Sequence, residues 1–147
     1  VSPLSDEFTL AYFNQLFEKP EDEKASVKFF IISKPGVWGV GNGYLQDILF
    51  RARIHPRRRA IDLSAGEKRA LYVAIRETLR QAVELGGRDT EHDLYGRPGG
   101  YKRTLDSRSV GLPCPNCGTP IEKMQYLGGA SYFCPRCQVQ PARRLNR

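Results

Sequence analysis

The 147-residue chain has room for one ordinary domain, or for a small core with a metal-stapled appendage. Its 40% hydrophobic content supports a packed core, and no apolar run approaches membrane-spanning length. The net charge of +7 is lopsided: residues 1–24 carry −4 and the rest +11, a cationic body that points to a polyanionic partner, nucleic acid first.

Leu10, Phe13, Leu16 and Phe17 recur at helical spacing and predict a short helix ending before Lys19-Pro20. The acidic Glu21-Asp22-Glu23 reads as a solvated loop. A second helix is predicted from an N-cap at Ser26 to about Ser33, where Pro35-Gly36 breaks it. Residues 36–43 set four glycines among apolar side chains, Trp38 among them. Behind them Tyr44, Leu45, Ile48, Leu49 and Ala52 form one helical stripe, with Asn42 at the expected N-cap and an end near Arg53.

Ile54-His55-Pro56 turns the chain away, and His55 reads as a structural turn residue. Arg57-Arg58-Arg59 occupies the connecting turn, and Ser64-x2-Glu67 is a capping box. Leu71, Ala74, Ile75, Thr78, Leu79, Ala82 and Val83 mark the buried face of the longest predicted helix, stopped by Gly86-Gly87. Residues 88–112 are polar, rich in Gly and Arg, and read as a loop or linker that holds His92 and a docking candidate, Leu94-Tyr95. Beyond it, 121–126 and 131–133 predict a hairpin turning at Leu127-Gly128-Gly129, and Arg143, Arg144 and Arg147 form a basic tail.

All four cysteines lie in the last quarter, as Cys114-x2-Cys117 and Cys134-x2-Cys137 with sixteen residues between the pairs. Two such knuckles bring four thiolates to the corners of a tetrahedron around one Zn²⁺. No histidine or carboxylate is left over for an open position, so the expected metal is structural. A disulfide framework is the alternative; closely spaced C-x2-C pairs without a secretory signal suit a metal better.

The glycine-rich turn before Tyr44 carries the binding chemistry. A helix N-terminus exposes unpaired N–H groups and partial positive charge, and Gly41 and Gly43 let an anion approach the backbone. Asn42 adds an amide donor for a phosphate oxygen. With the second capped helix at Ser64, the pattern is helix, two turns, helix, with basic connections. Such a unit can hold a nucleic-acid backbone without reading bases. The alternative is that the glycines only allow tight packing. Tyr44 and Trp38 could stack on a base, although core placement is commoner for an aromatic beside a glycine turn. No dinucleotide fingerprint, Walker motif, Ser-His-Asp set or paired carboxylates stand out. An anionic membrane surface fits poorly, since no stretch joins a basic face to a strongly apolar one.

The run Gly39-Val40-Gly41-Asn42-Gly43-Tyr44-Leu45-Gln46-Asp47-Ile48-Leu49-Phe50-Arg51-Ala52-Arg53-Ile54-His55-Pro56 resembles the helix-two-turn-helix of the formamidopyrimidine-DNA glycosylase and endonuclease VIII family. The likeness extends upstream to Pro3-Leu4-Ser5-Asp6 and Val27-Lys28-Phe29. Downstream it runs through the long helix to Pro113-Cys114-Pro115-Asn116-Cys117 and Tyr132-Phe133-Cys134-Pro135-Arg136-Cys137-Gln138. By that resemblance, Lys28 and Asn42 contact phosphates flanking a damaged nucleotide, and the ribbon hairpin enters the minor-groove side while the lesion is flipped out.

The chain departs from the family's pattern in places. The family's catalytic group is the amine of an N-terminal proline followed by glutamate, ahead of a large β-sandwich. This chain begins Val1-Ser2-Pro3-Leu4, and Pro3 reads as interdomain linker. Gly129 stands where the family carries a phosphate-gripping arginine, Asp47 where glutamate is usual, and Gly43 where a branched apolar residue is usual.

The expectation is a mainly α fold, a helix-two-turn-helix bundle followed by a β-hairpin zinc ribbon. Its expected divisions are 1–87 helical, 88–112 loop, and 113–147 ribbon with basic tail. The expected DNA contacts are Lys28, Gly41, Asn42, Gly43, Tyr44, Arg57 and Arg58, with zinc on Cys114, Cys117, Cys134 and Cys137. The expected partner is double-stranded, damaged DNA, bound by a monomer in the bacterial cytoplasm. The expected function is that of the DNA-binding portion of a base-excision-repair glycosylase and AP lyase, inactive without its catalytic half. The alternatives are a non-catalytic adaptor on the same fold and an RNA or ribosome-associated module.

Overall fold

A computed structural model describes residues 2–18, 25–33, 37, 40–86, 99–101, 103–127 and 129–139. The readings of Glu21-Asp22-Glu23, Pro35-Gly36, Trp38, Gly87, His92, Leu94-Tyr95 and the basic tail fall outside them. The order is α1 (Leu10–Gln15), α2 (Val27–Ile32), α3 (Asn42–Ala52), α4 (Ala65–Glu84), β1 (Glu122–Tyr126) and β2 (Gly129–Phe133). Short 3-10 turns at Ala60–Asp62 and Ser107–Ser109 lie in the connections between these elements.

Capping chemistry sets the helix starts. Thr9, Ser26 and Ser64 side chains accept from the N–H groups of Tyr12, Phe29 and Glu67. Glu67 returns the bond to the Ser64 N–H at 2.9 Å, completing the capping box. At α3 the expectation fails: the N-cap is Gly41, which offers no side chain, and Asn42 is the first helical residue. α3 ends at Arg53 in the left-handed region (φ 59°), a conformation that costs a non-glycine residue about 1 kcal/mol.

Phe8, Phe13, Phe17, Phe30, Ile31, Leu45, Ile48, Leu49, Leu71 and Ile75 build the main core. Its aromatic end is tight, with the Phe17 and Phe30 rings stacked at 4.2 Å. Along α4 the anticipated stripe is buried from Leu71 to Ala82, but Val83 is 66% exposed. Four residues past Leu79, it lies about 40° further round the helix, in the last turn of a helix much longer than α3, which it packs against.

α3 is buried on two sides, and this positions everything else. Leu45, Ile48, Leu49 and Ala52 face the helical core, whereas Phe50 joins Leu105, Cys114, Ile121 and Cys134 in a second cluster under the ribbon. Burying a Phe side chain is worth about 1.5–3 kcal/mol, so Phe50 ties the two clusters through one helix. Asp47, fully buried, accepts from the Tyr101 hydroxyl at 2.6 Å and from the N–H groups of Thr104 and Leu105 at 2.9 and 2.8 Å. The segment entering the ribbon is thereby fixed to α3.

The hairpin is antiparallel, with Glu122 opposite Phe133 and Tyr126 opposite Gly129. That register leaves a two-residue turn, with Leu127 at φ 53°. No described helix is long and apolar enough to cross a membrane.

A candidate nucleic-acid interface and metal centre

The cysteine thiols converge. All four Sγ atoms lie within 4.8 Å of one another, with Cys114 to Cys137 at 3.9 Å and Cys117 to Cys134 at 3.4 Å. A disulfide requires about 2.05 Å, whereas sulfurs at the corners of a tetrahedron with 2.3 Å metal bonds stand about 3.8 Å apart. The donor set and spacing therefore fit one tetrahedral Zn²⁺, bound by the protein alone.

Local geometry builds both knuckles alike. Gly118 N–H donates to the Cys114 carbonyl and Gln138 N–H to the Cys134 carbonyl, each at 2.8 Å. Gly118 sits at φ 79°, which favours glycine there. Hydrogen bonds from Thr119 hold the Cys117 thiol down at about 6, while burial and the neighbouring thiols push Cys137 up to about 12. A divalent ion removes that conflict by taking all four as thiolates. Beside the half-buried Cys117 and Cys137 lies an open cleft of about 450 Å³, flanked by Arg53 and Arg136, whose charge offsets the surplus of a four-thiolate zinc centre.

The second construction is the seam between α3 and the hairpin. Asn42 Nδ2 donates to the Ala130 carbonyl at 3.0 Å. Gln46, one turn along, donates to the same carbonyl at 3.0 Å and accepts from the Tyr132 N–H at 3.1 Å. Lys28, only 1% exposed, donates its ammonium to the Tyr126 carbonyl at 2.7 Å and the Ser131 hydroxyl at 3.1 Å. Burial pushes its pKa below the usual lysine range. Gln138 completes the seam: its Oε1 accepts from Cys134 N–H and its Nε2 donates to the Ile54 carbonyl at 3.1 Å. Gln46 and Gln138 were not singled out from sequence. The available signal for Gln46 was a polar residue one helical turn after Asn42, inside an otherwise apolar stretch.

The seam thus brings Lys28 and Asn42 together near the turn of the hairpin, where both bond to hairpin atoms. Gly129 lies over them: a Cβ there would stand 3.3 Å from Asn42 Nδ2 and 3.9 Å from Lys28 Nζ. Gly41, at the exposed start of α3, has nothing within 4 Å of a Cβ position. Gly43 is half-buried beside it. Tyr44 is half-buried against the main core, its ring 5.8 Å from that of Tyr101.

The arginine run divides. Arg58 forks onto both Glu67 carboxylate oxygens at 2.8 and 3.0 Å. Partial burial raises the Glu67 pKa, but hydrogen bonds from Ser64 and Arg58 outweigh that and hold it below the usual carboxylate range. Arg59 pairs with Asp62 at 3.2 Å. Arg57 is exposed, with its guanidinium 4.6 Å from the Tyr126 ring centroid. Its N–H donates at 3.0 Å to Nδ1 of the buried His55, whose ring meets Phe133 edge-on.

Comparison with known proteins agrees with this architecture. Residues 1–93 match the formamidopyrimidine-DNA glycosylase H2TH domain, and residues 111–139 match the zinc finger found in FPG and IleRS. A formamidopyrimidine-DNA glycosylase of Thermus thermophilus is 38% identical over 141 residues, 92% of this chain and 52% of that protein. The crystal structure of the Thermus thermophilus Fpg protein superposes with a TM-score of 0.85 at 37% identity, covering 97% of this chain and 54% of that one. The Lactococcus lactis Fpg, solved in complex with abasic-site-containing DNA, gives 0.79 at 28% identity, covering 95% and 50%. The chain spans about half the length of the curated relatives it matches. A helical unit that matches over more than half the chain, joined to a matching four-cysteine ribbon, makes this chain a member of the formamidopyrimidine-DNA glycosylase H2TH domain family.

Proposed function

We propose that this chain grips the sugar–phosphate backbone of damaged double-stranded DNA, as the DNA-binding portion of a base-excision-repair glycosylase and AP lyase. The observation that carries the reading is the seam itself: Lys28, Asn42 and Gln46 lock the ribbon hairpin against the start of α3. A helix N-terminus, an amide and a cationic loop are thereby held at fixed separation. Such an arrangement suits a backbone clamp, because phosphates recur at fixed intervals and no base needs to be read.

In this reading Asn42 and the N–H groups around Gly41 and Gly43 meet one phosphate, and Arg57 another. Lys28 holds the hairpin in place, Arg58 braces the second helix through Glu67, and Tyr44 supports α3 from the core. The zinc is structural. Residues 1–87 form the helical binding unit, 88–112 the connection, and 113–147 the ribbon with its basic tail. The chain works as a monomer in the bacterial cytoplasm. Base excision needs a catalytic amine; the role proposed for these residues is binding.

A competition experiment tests this. A labelled duplex with an abasic-site analogue is displaced from the zinc-loaded chain by intact duplex, by single-stranded DNA or by structured RNA. The expected order places the damaged duplex first and RNA last. RNA displacing the duplex more readily than DNA does would contradict the proposal. The rival reading, a non-catalytic adaptor, draws support from the bare position at Gly129 and the covered ammonium of Lys28. It expects a protein partner and no preference for duplex.

A further inference from the structure

We infer that Arg57, braced on the ring of Tyr126, is the side chain through which the hairpin edge of this interface holds a phosphate. The inference rests on the duplex-clamp reading and identifies the cation responsible at that edge.

Availability of charge selects the residue. The ammonium of Lys28 is buried beneath the hairpin, with two of its hydrogens given to Tyr126 and Ser131. At 1% exposure the residue offers a phosphate almost no surface. Arg58 is held by Glu67 and the Asp62 carbonyl, and Arg59 by Asp62. Arg57 is the exposed member of the run, and among the described residues no carboxylate or carbonyl accepts from its guanidinium.

Placement supports the same choice. The Arg57 guanidinium covers the Tyr126 ring at 4.6 Å, within cation–π range, and Tyr126 is the cross-strand partner of Gly129. Gly129 offers no side chain above Asn42 and Lys28. The loop after α3 thus places a cation beside this bare position, held by a hairpin aromatic. His55 fixes the other end of Arg57 by accepting its backbone N–H. A guanidinium over an aromatic ring retains its N–H donors, and their planar fork matches two phosphate oxygens. Prior bracing also lowers the entropy lost when the side chain is immobilised on DNA.

The test is duplex affinity across a salt series for the zinc-loaded chain and variants, with zinc content and circular dichroism checking the fold. Arg57→Ala is expected to weaken binding roughly tenfold or more and to reduce the log–log salt slope by about 0.9. Tyr126→Ala is expected to weaken binding with the slope kept, and to add nothing in the Arg57→Ala background. Arg57→Lys should restore the slope but only part of the affinity. Should wild type bind steeply with salt while Arg57→Ala matches it, the inference fails and the clamp stands. An equal effect from Arg59→Ala would also overturn it, since any nearby charge would then serve. If wild type binds no duplex at low ionic strength, clamp and inference fall together.

Discussion

Gln46 and Tyr132 join the two clusters of the fold: the Tyr132 N–H donates to Gln46 Oε1 at 3.1 Å, while Gln46 Nε2 reaches the Ala130 carbonyl at 3.0 Å. One side chain thus serves two backbone groups of β2 much as a neighbouring strand would. Gln46→Leu keeps the bulk and strands the Tyr132 N–H in a part-buried seam. A loss of about 1–3 kcal/mol is expected in urea denaturation of the zinc-loaded chain. A variant as stable as wild type would show that the seam contributes nothing to holding the ribbon.

His55 supplies a pH dependence with a definite sign. Burial and then the Arg57 charge lower its pKa from 6.5 to about 4, so the native imidazole is neutral and accepts from Arg57 through Nδ1. Above pH 6.5 both folded and unfolded chains carry it neutral, and its contribution is fully present. As pH falls from 6.5 through about 4, the unfolded chain takes the proton first and stability drops, by at most about 3 kcal/mol. His55→Asn keeps an acceptor that does not titrate. Its stability should fall less over that window than that of wild type, measured by denaturation at matched zinc loading.

The metal centre predicts one zinc per chain, released by a strong chelator with loss of the hairpin. Chelation should remove amide protection around β1, β2 and the Gln46 seam while α4 keeps most of its own, because the main core does not include the cysteines. Cys134→Ser, at a fully buried ligand, should prevent stable metal uptake. Hydrogen exchange with and without chelator reads both effects. Unchanged protection in the hairpin would remove the structural role for the metal.

Gly129 invites a gain-of-function change. Its backbone lies outside the glycine-only region, and a new Cβ would meet the movable Asn42 amide at 3.3 Å. Gly129→Arg should therefore fold with a small shift of Asn42. It should tighten duplex binding by roughly tenfold and add about 0.9 to the salt slope. Anisotropy titrations at two salt concentrations suffice to read both.

What the sequence made legible was local. The Ser26 and Ser64 caps, the Glu67 return bond and the cysteine knuckles each depend on residues a few positions apart. Asn42 shows where that stops. Its side chain was free to cap α3, yet it bonds to Ala130, 88 residues away. Lys28 reaches Ser131 across 103 residues, and Asp47 secures Tyr101 across 54. A polar residue gives no local sign of so distant a partner, so the seam that assembles the interface had to come from the structure. The arginine run shows the same limit: three identical side chains have different partners, and only the fold separates Arg57 from Arg58 and Arg59.

The most direct test of the central claim is the salt dependence of duplex binding by the zinc-loaded chain. A backbone clamp neutralising several phosphates predicts that log affinity falls linearly with log salt, by about 0.9 per phosphate, with little dependence on base sequence. No measurable affinity for any duplex at low ionic strength, from a folded and metal-replete sample, would contradict it.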